Sequence, residues 1–123
     1  MNISENEEKN LYESVYDFVR TVPSGKVVTY GQVAGMLEDV SLTARQVGAA
    51  MRSVPKGVPW QRVVGAGGAL PIAKVSPELK SRQRELLEQE GVAFLSGANE
   101  RVDMRRFQWM PPLEEQAPLF DLE

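Results

Sequence analysis

Residues 59–62 read Pro-Trp-Gln-Arg, which sets the bulkiest aromatic side chain between a proline and a Gln-Arg pair. Trp60, Arg62 and Lys74 all fall in a glycine- and proline-rich stretch without acidic residues. That composition suits a pocket in which an aromatic ring is held by stacking and cation–π contact. A tryptophan packed in the core would have the same surroundings, so both readings stand. Covalent chemistry finds few carriers. The sequence contains no cysteine, hence no disulfide, thiol nucleophile or thiolate metal site. It contains no histidine either, which removes the commonest general base and the commonest metal ligand. The available chemistry is recognition without a cofactor.

Charge narrows the ligand. From Val40 to Pro77 there is no acidic residue, yet Arg45, Arg52, Lys56, Arg62 and Lys74 lie there. That segment carries +5 against a net charge of −3, which leaves −8 on the rest of the chain. One basic face on an acidic body fits a polyanion bound locally; scattered solvated charges are the plainer alternative.

Several elements must position these residues. A chain of 123 residues makes one domain with a single modest core. With 42% hydrophobic and 25% charged residues it matches an ordinary soluble protein. No apolar run reaches the ~18 residues of a membrane span, and the acidic start MNISENEEKN is the opposite of a targeting peptide. A cytoplasmic, monomeric protein is expected. In NLYESVYDFVRTV, Leu11, Val15, Phe18, Val19 and Val22 form one stripe of an amphipathic helix.

Two helix starts of one form follow. Thr29 with Gln32, and Thr43 with Gln46, each make a capping box. The spacing predicts helices through YGQVAGML and ARQVGAAMRS, closely joined, which read as a helix-turn-helix. Arg45 then occupies the second position of the recognition helix, where free N–H groups and the helix dipole favour a phosphate. It could contact backbone, read a base edge or enter the base stack, or be an exposed charge paired with Asp39. Tyr30 opens the preceding helix and presents its ring or hydroxyl to DNA, or packs inward.

GAGG, residues 65–68, reads as a turn rather than a phosphate cradle. SPELKSRQRELLEQEG is a further helix with Ser76 as N-cap, Pro77 at its first position and Gly91 at its end. Leu79, Leu86 and Leu87 give it a narrow apolar stripe. VAFLSGANERVDMRRFQWM begins as a strand and closes a small β ribbon. The expected fold is mainly α with a small β component, a winged-helix-like domain over residues 1–110, followed by an acidic, flexible tail at 111–123.

In order and spacing, VPSGKVVTYGQVA, TARQVGAAMRSVP, PWQRVVGAGG and RQRELLEQEGV resemble the O6-alkylguanine-DNA alkyltransferases, over roughly residues 10 to 110. The resemblance is to their DNA-binding, active-site domain alone. The active-site tetrapeptide of those enzymes is Pro-Cys-His-Arg. Here Trp60 stands at the nucleophile position, Gln61 at the histidine position, and Val54 where the family usually has asparagine. Glu90 matches the glutamate that orients the histidine. An indole is a poor nucleophile and glutamine cannot relay a proton, so the resemblance implies no alkyl transfer by this route.

It implies instead an alkyltransferase-like protein, with Trp for Cys, that recognises O6-alkylguanine without repairing it. Arg45 matches the arginine finger that enters the duplex through the minor groove, and Tyr30 the tyrosine that helps rotate the base out. Tyr30, Thr43, Arg45, Gln46 and Arg52 are the expected DNA contacts; Tyr30, Trp60, Arg62 and Lys74 are the expected lesion pocket. The implied role is to mark damage in double-stranded DNA for nucleotide excision repair proteins. The alternatives are a helix-turn-helix transcriptional regulator indifferent to alkylation, or an enzyme with another nucleophile. Gln116 to Phe120, QAPLF, also resembles the Gln-x-x-Leu-Phe peptide by which bacterial repair proteins engage the sliding clamp.

Overall fold

The amphipathic stripe near the N-terminus forms the first helix, α1 (Glu5–Thr21), whose Val15 and Val19 are fully buried, as is Val22 just beyond its end. The structure is a computed structural model describing residues 5–37, 41–97 and 100–111. Residues 112–123, and with them the expected tail and QAPLF peptide, lie outside the described residues, as does Asp39. A turn at Ser24-Gly25 leads to β1 (Val28–Thr29), and Thr29 then caps α2 (Tyr30–Met36). Helix α3 spans Ala44–Arg52. Both capping boxes are formed: Thr29 Oγ1 accepts from Gln32 N at 2.9 Å and Thr43 Oγ1 from Gln46 N at 3.1 Å. The glutamine side chains reach back to the N–H groups of Thr29 and Thr43. These side chains supply the hydrogen bonds that a helix start lacks, so α2 and α3 begin where the sequence places them.

After α3 the chain makes a 3-10 turn at Trp60–Arg62 and enters β2 (Val63–Val64), which pairs in parallel with β1 in the register Val28 to Val63. GAGG closes a second 3-10 turn at Ala66–Gly68, in which Gly67 and Gly68 have φ of +69° and +90°. A Cβ on Gly68 would stand 2.5 Å from Val102 O, so only glycine lets the turn lie against that backbone. A third turn, Pro71–Lys74, precedes α4 (Pro77–Gln89). Ser76 Oγ caps α4 by accepting from Leu79 N at 3.2 Å. Short strands β3 (Phe94–Leu95) and β4 (Arg101–Val102) form an antiparallel ribbon, and α5 (Met104–Phe107) is the last helix of the described residues.

The fold is mainly α with a small β component and contains a helix-turn-helix, as the sequence predicts. Two apolar clusters hold it. The larger joins α1, α2, α3 and β2 through Val15, Val19, Val33, Val47 and Val63, with Tyr30, Val54, Trp60 and Trp109 packed against it. Tyr16 Oη donates to Ala50 O at 2.8 Å and ties α1 to the end of α3. The smaller joins β2, α4 and the ribbon through Val64, Leu87 and Val102. One expectation fails: Leu79 is 41% exposed, whereas Gln83 is 1% exposed. The inward face of α4 therefore runs through Gln83, whose amide caps two carbonyls across the core. Among the described residues no helix is long and apolar enough to cross a membrane.

Candidate nucleic-acid interface

The first turn of α2, one face of α3 along its whole length, the Trp60 turn, the Pro71–Lys74 turn and the middle of α4 line a cleft of about 310 Å3. Tyr30, Arg45, Arg52, Trp60, Lys74 and Gln83 all line it. Trp60 is half-buried: it packs on the larger cluster and also walls the cleft, so the pocket and core readings both hold. Its backbone N–H donates to Val58 O at 2.8 Å, which fixes the turn that presents the indole. Tyr30 has the same double character. Burial raises the pKa of its phenol, with the positive charge of Arg52 pulling the other way, so the hydroxyl stays protonated and able to donate.

Arg45, Arg52 and Lys74 are exposed and have no ion-pair partner among the described residues. Gly48 and Ala44 face the same space from α3. Their small side chains keep this wall low. Three cations around an apolar floor make a site for a flat ring attached to a phosphate chain.

Arg62 is the exception among the expected pocket residues. It is not brought into the cleft. Its guanidinium turns to the other side of the turn, where NH2 pairs with Glu90 Oε2 at 2.9 Å and Nε meets Oε1 at 3.0 Å. NH1 donates to Val22 O at 2.9 Å. The physical reason is the charge of Glu90, which is largely buried and needs a partner. Glu90 also accepts from Gln61 Nε2 at 2.8 Å and from Gly25 N at 3.1 Å. Burial by itself would raise the Glu90 pKa. The hydrogen bonds from Arg62, Gly25 and Gln61 and the charge of Arg62 outweigh it and hold the carboxyl below its ordinary value. Gln61 thus occupies the glutamate's hydrogen-bonding position with an amide that donates but cannot shuttle a proton.

Thr43 and Gln46 are exposed at the start of α3 and spend their side chains on the capping box rather than in the cleft. Sequence reasoning missed Gln83. The signal was present: it lies four residues after Leu79 and four before Leu87, in the middle of the stripe assigned to α4.

Comparisons with known proteins find relatives over most of the chain. Residues 10–92 match the sequence model of the 6-O-methylguanine DNA methyltransferase, DNA binding domain. A protein of Escherichia coli named DNA base-flipping protein is 38% identical over 104 residues, 83% of this chain and 76% of that one. Alkyltransferase-like protein 1 of Schizosaccharomyces pombe is 36% identical over 105 residues, 82% of this chain and 95% of that one. The crystal structure of S. pombe Atl1 in complex with damaged DNA containing O6-carboxymethylguanine superposes with a TM-score of 0.75 at 32% identity, covering 90% of this chain and 100% of that one. The O6-methylguanine methyltransferase of Mycobacterium tuberculosis is similar in part, with a TM-score of 0.56 over 66% of this chain and 48% of that one, at 31% identity.

Proposed function

Because the chain belongs to the family of the 6-O-methylguanine DNA methyltransferase DNA-binding domain, we propose that it is a non-enzymatic sensor of O6-alkylguanine in duplex DNA. The convergence of Tyr30, Arg45, Arg52, Trp60 and Lys74 on one cleft carries this reading. A sequence without cysteine or histidine supports it from the side of chemistry. At about 310 Å3 the cleft falls at the small end of the ~300–1,000 Å3 range of ligand pockets, which suits one base.

Helix α3 enters the minor groove. Arg45 fills the gap left in the stack, Tyr30 crowds the adjacent phosphate, Thr43 and Gln46 meet the backbone at the start of α3, and Arg52 neutralises backbone charge from its last turn. The extruded base lies against Trp60, with Lys74 at its edge. Unstacking costs a few kcal/mol and least where pairing is already weak, which favours a lesion over an intact pair. Trp60 lies where a thiol would have attacked, and the alkyl group stays on the base. The bound site is handed to another pathway, nucleotide excision repair. Residues 1–110 act as the binding unit.

The test is equilibrium binding of two duplexes that differ only in one O6-methyl group, with wild type and Arg45→Ala. The expected result is tighter binding of the methylated duplex, weakened at least about five-fold in the variant, with the methyl group still on the DNA afterwards. Equal affinity for both duplexes would overturn the reading in favour of a helix-turn-helix regulator, and methyl transfer to the protein would overturn it in favour of an enzyme.

A further inference from the structure

The Pro71–Lys74 turn separates two cavities. On its far side from the cleft lies a groove of about 430 Å3, walled by that turn, the start of α4 and the strand β4. Pro71 and Lys74 line both spaces. The groove presents Lys74, Lys80, Glu100 and Arg101 where the cleft presents an indole. Its one acid among the described residues is already engaged. Glu100 Oε1 pairs with Lys80 Nζ at 3.2 Å, and Oε2 pairs with Arg84 Nη1 at 2.6 Å. The hydrogen bond from Arg84, aided by that from Lys80, outweighs burial and holds the carboxyl below its ordinary value. Lys74 and Arg101 are exposed and have no ion-pair partner among the described residues. The backbone of Arg101 is fixed on both sides, by pairing with Leu95 in the ribbon and by a bridge to Ala69 at the foot of the turn.

Acidic residues outnumber basic ones in this chain, 17 to 14, so two cations left without an acid on one groove mark a place where the counter-charge comes from outside. Three cations against one carboxylate leave the lining with two positive charges. Because groove and cleft meet at Lys74, a strand whose base enters the cleft carries its backbone over that rim. We propose that the groove seats the phosphate backbone of the bound duplex, with Arg101 as its outer contact and Lys74 shared between groove and cleft. The assignment rests on the DNA-binding reading above and adds the β ribbon to the binding surface. Phosphate contacts position a protein on the duplex without reading a base. Arg101 therefore sets the affinity for duplex DNA, and the preference for the lesion stays with the cleft.

The experiment titrates wild type, Arg101→Gln and Arg101→Lys, each checked for a cooperative thermal transition, with a guanine duplex and its O6-methylguanine counterpart over a range of salt. Each neutralised phosphate adds about 0.9 to the slope of log K against log salt. Arg101→Gln is expected to flatten that slope by about one and to weaken both duplexes alike, about five- to ten-fold at ~0.1 M salt. Arg101→Lys, which keeps the charge, is expected to retain most of both. A second titration locates the contact on methylated duplexes in which single phosphates near the lesion are replaced in turn by uncharged methylphosphonates. At one position the replacement is expected to weaken wild type but not Arg101→Gln. Unchanged affinity and slope in folded Arg101→Gln overturn the assignment and leave the groove to an acidic protein partner. Losses that simply add at every phosphate position overturn it as well. The sensor reading is judged separately, by the wild-type ratio between the two duplexes: a ratio of one removes that reading, while the slope and the phosphate scan still decide the assignment.

Discussion

Replacing Glu90 by glutamine removes one negative charge from the centre of a five-contact network while keeping the side chain's shape. The carboxylate receives three contacts from Arg62, one from Gln61 and one from Gly25, with side-chain exposures of 17% for Arg62 and 13% for Glu90. Hydrogen bonds to a charged group contribute about 1.5–3 kcal/mol and neutral ones about 0.5–1.5 kcal/mol. Losing the charged component of roughly three independent bonds comes to about 3 kcal/mol, and their non-additivity reduces this to about 2 kcal/mol. For a domain of this size that lowers the melting temperature by about 8 °C.

The pH dependence follows from the sign of the shift. The folded carboxyl titrates below its unfolded value, so its stabilisation is fully present above the unfolded pKa and is lost as pH falls through the folded one. Thermal unfolding of wild type and Glu90→Gln from neutral to acid pH should show two melting curves that converge as the carboxyl protonates. A melting temperature unchanged at neutral pH, or a gap that persists after protonation, would refute the reasoning.

Two further outcomes are expected. Gly68→Ala places a Cβ 2.5 Å from Val102 O at a φ of +90°. It should cost about 2–4 kcal/mol by urea unfolding, and a loss below about 1 kcal/mol would show that the turn moves freely off the ribbon. Thr43→Ala deletes the α3 cap and should cost about 1 kcal/mol in thermal unfolding, whereas Thr43→Ser, which keeps the hydroxyl, should cost much less. Equal effects from the two would remove the cap from the account.

The helix-turn-helix was legible because its signals are local. Thr29 with Gln32 and Thr43 with Gln46 specify their helix starts over three residues each, and the structure forms both boxes. Ser76, Pro77 and Gly91 bound α4 by the same kind of rule. Arg62 was misplaced because the acid that attracts it lies 28 residues away, and spacing carries no information about such a pair. Gln83 was missed because its polarity reads as solvated surface, whereas two carbonyls from a distant turn and strand supply the partners that make it tolerable inside. The sequence placed Trp60 in two environments at once. That ambiguity was real, since a side chain can fill a core with one face and floor a cleft with the other.

The parallel pairing of β1 with β2 has a kinetic consequence. Only two residues pair on each side, yet they join Val28 to Val63 and close a loop that contains the whole helix-turn-helix and Trp60. The opposite wall of the cleft, from Pro71 to Gln83, lies beyond that closure. Capped helices assemble from neighbours in sequence and do so quickly, whereas a short parallel pair repays its loop entropy only after distant segments have met. The closure that brings the two walls face to face is therefore expected late in folding, after the capped helices have formed.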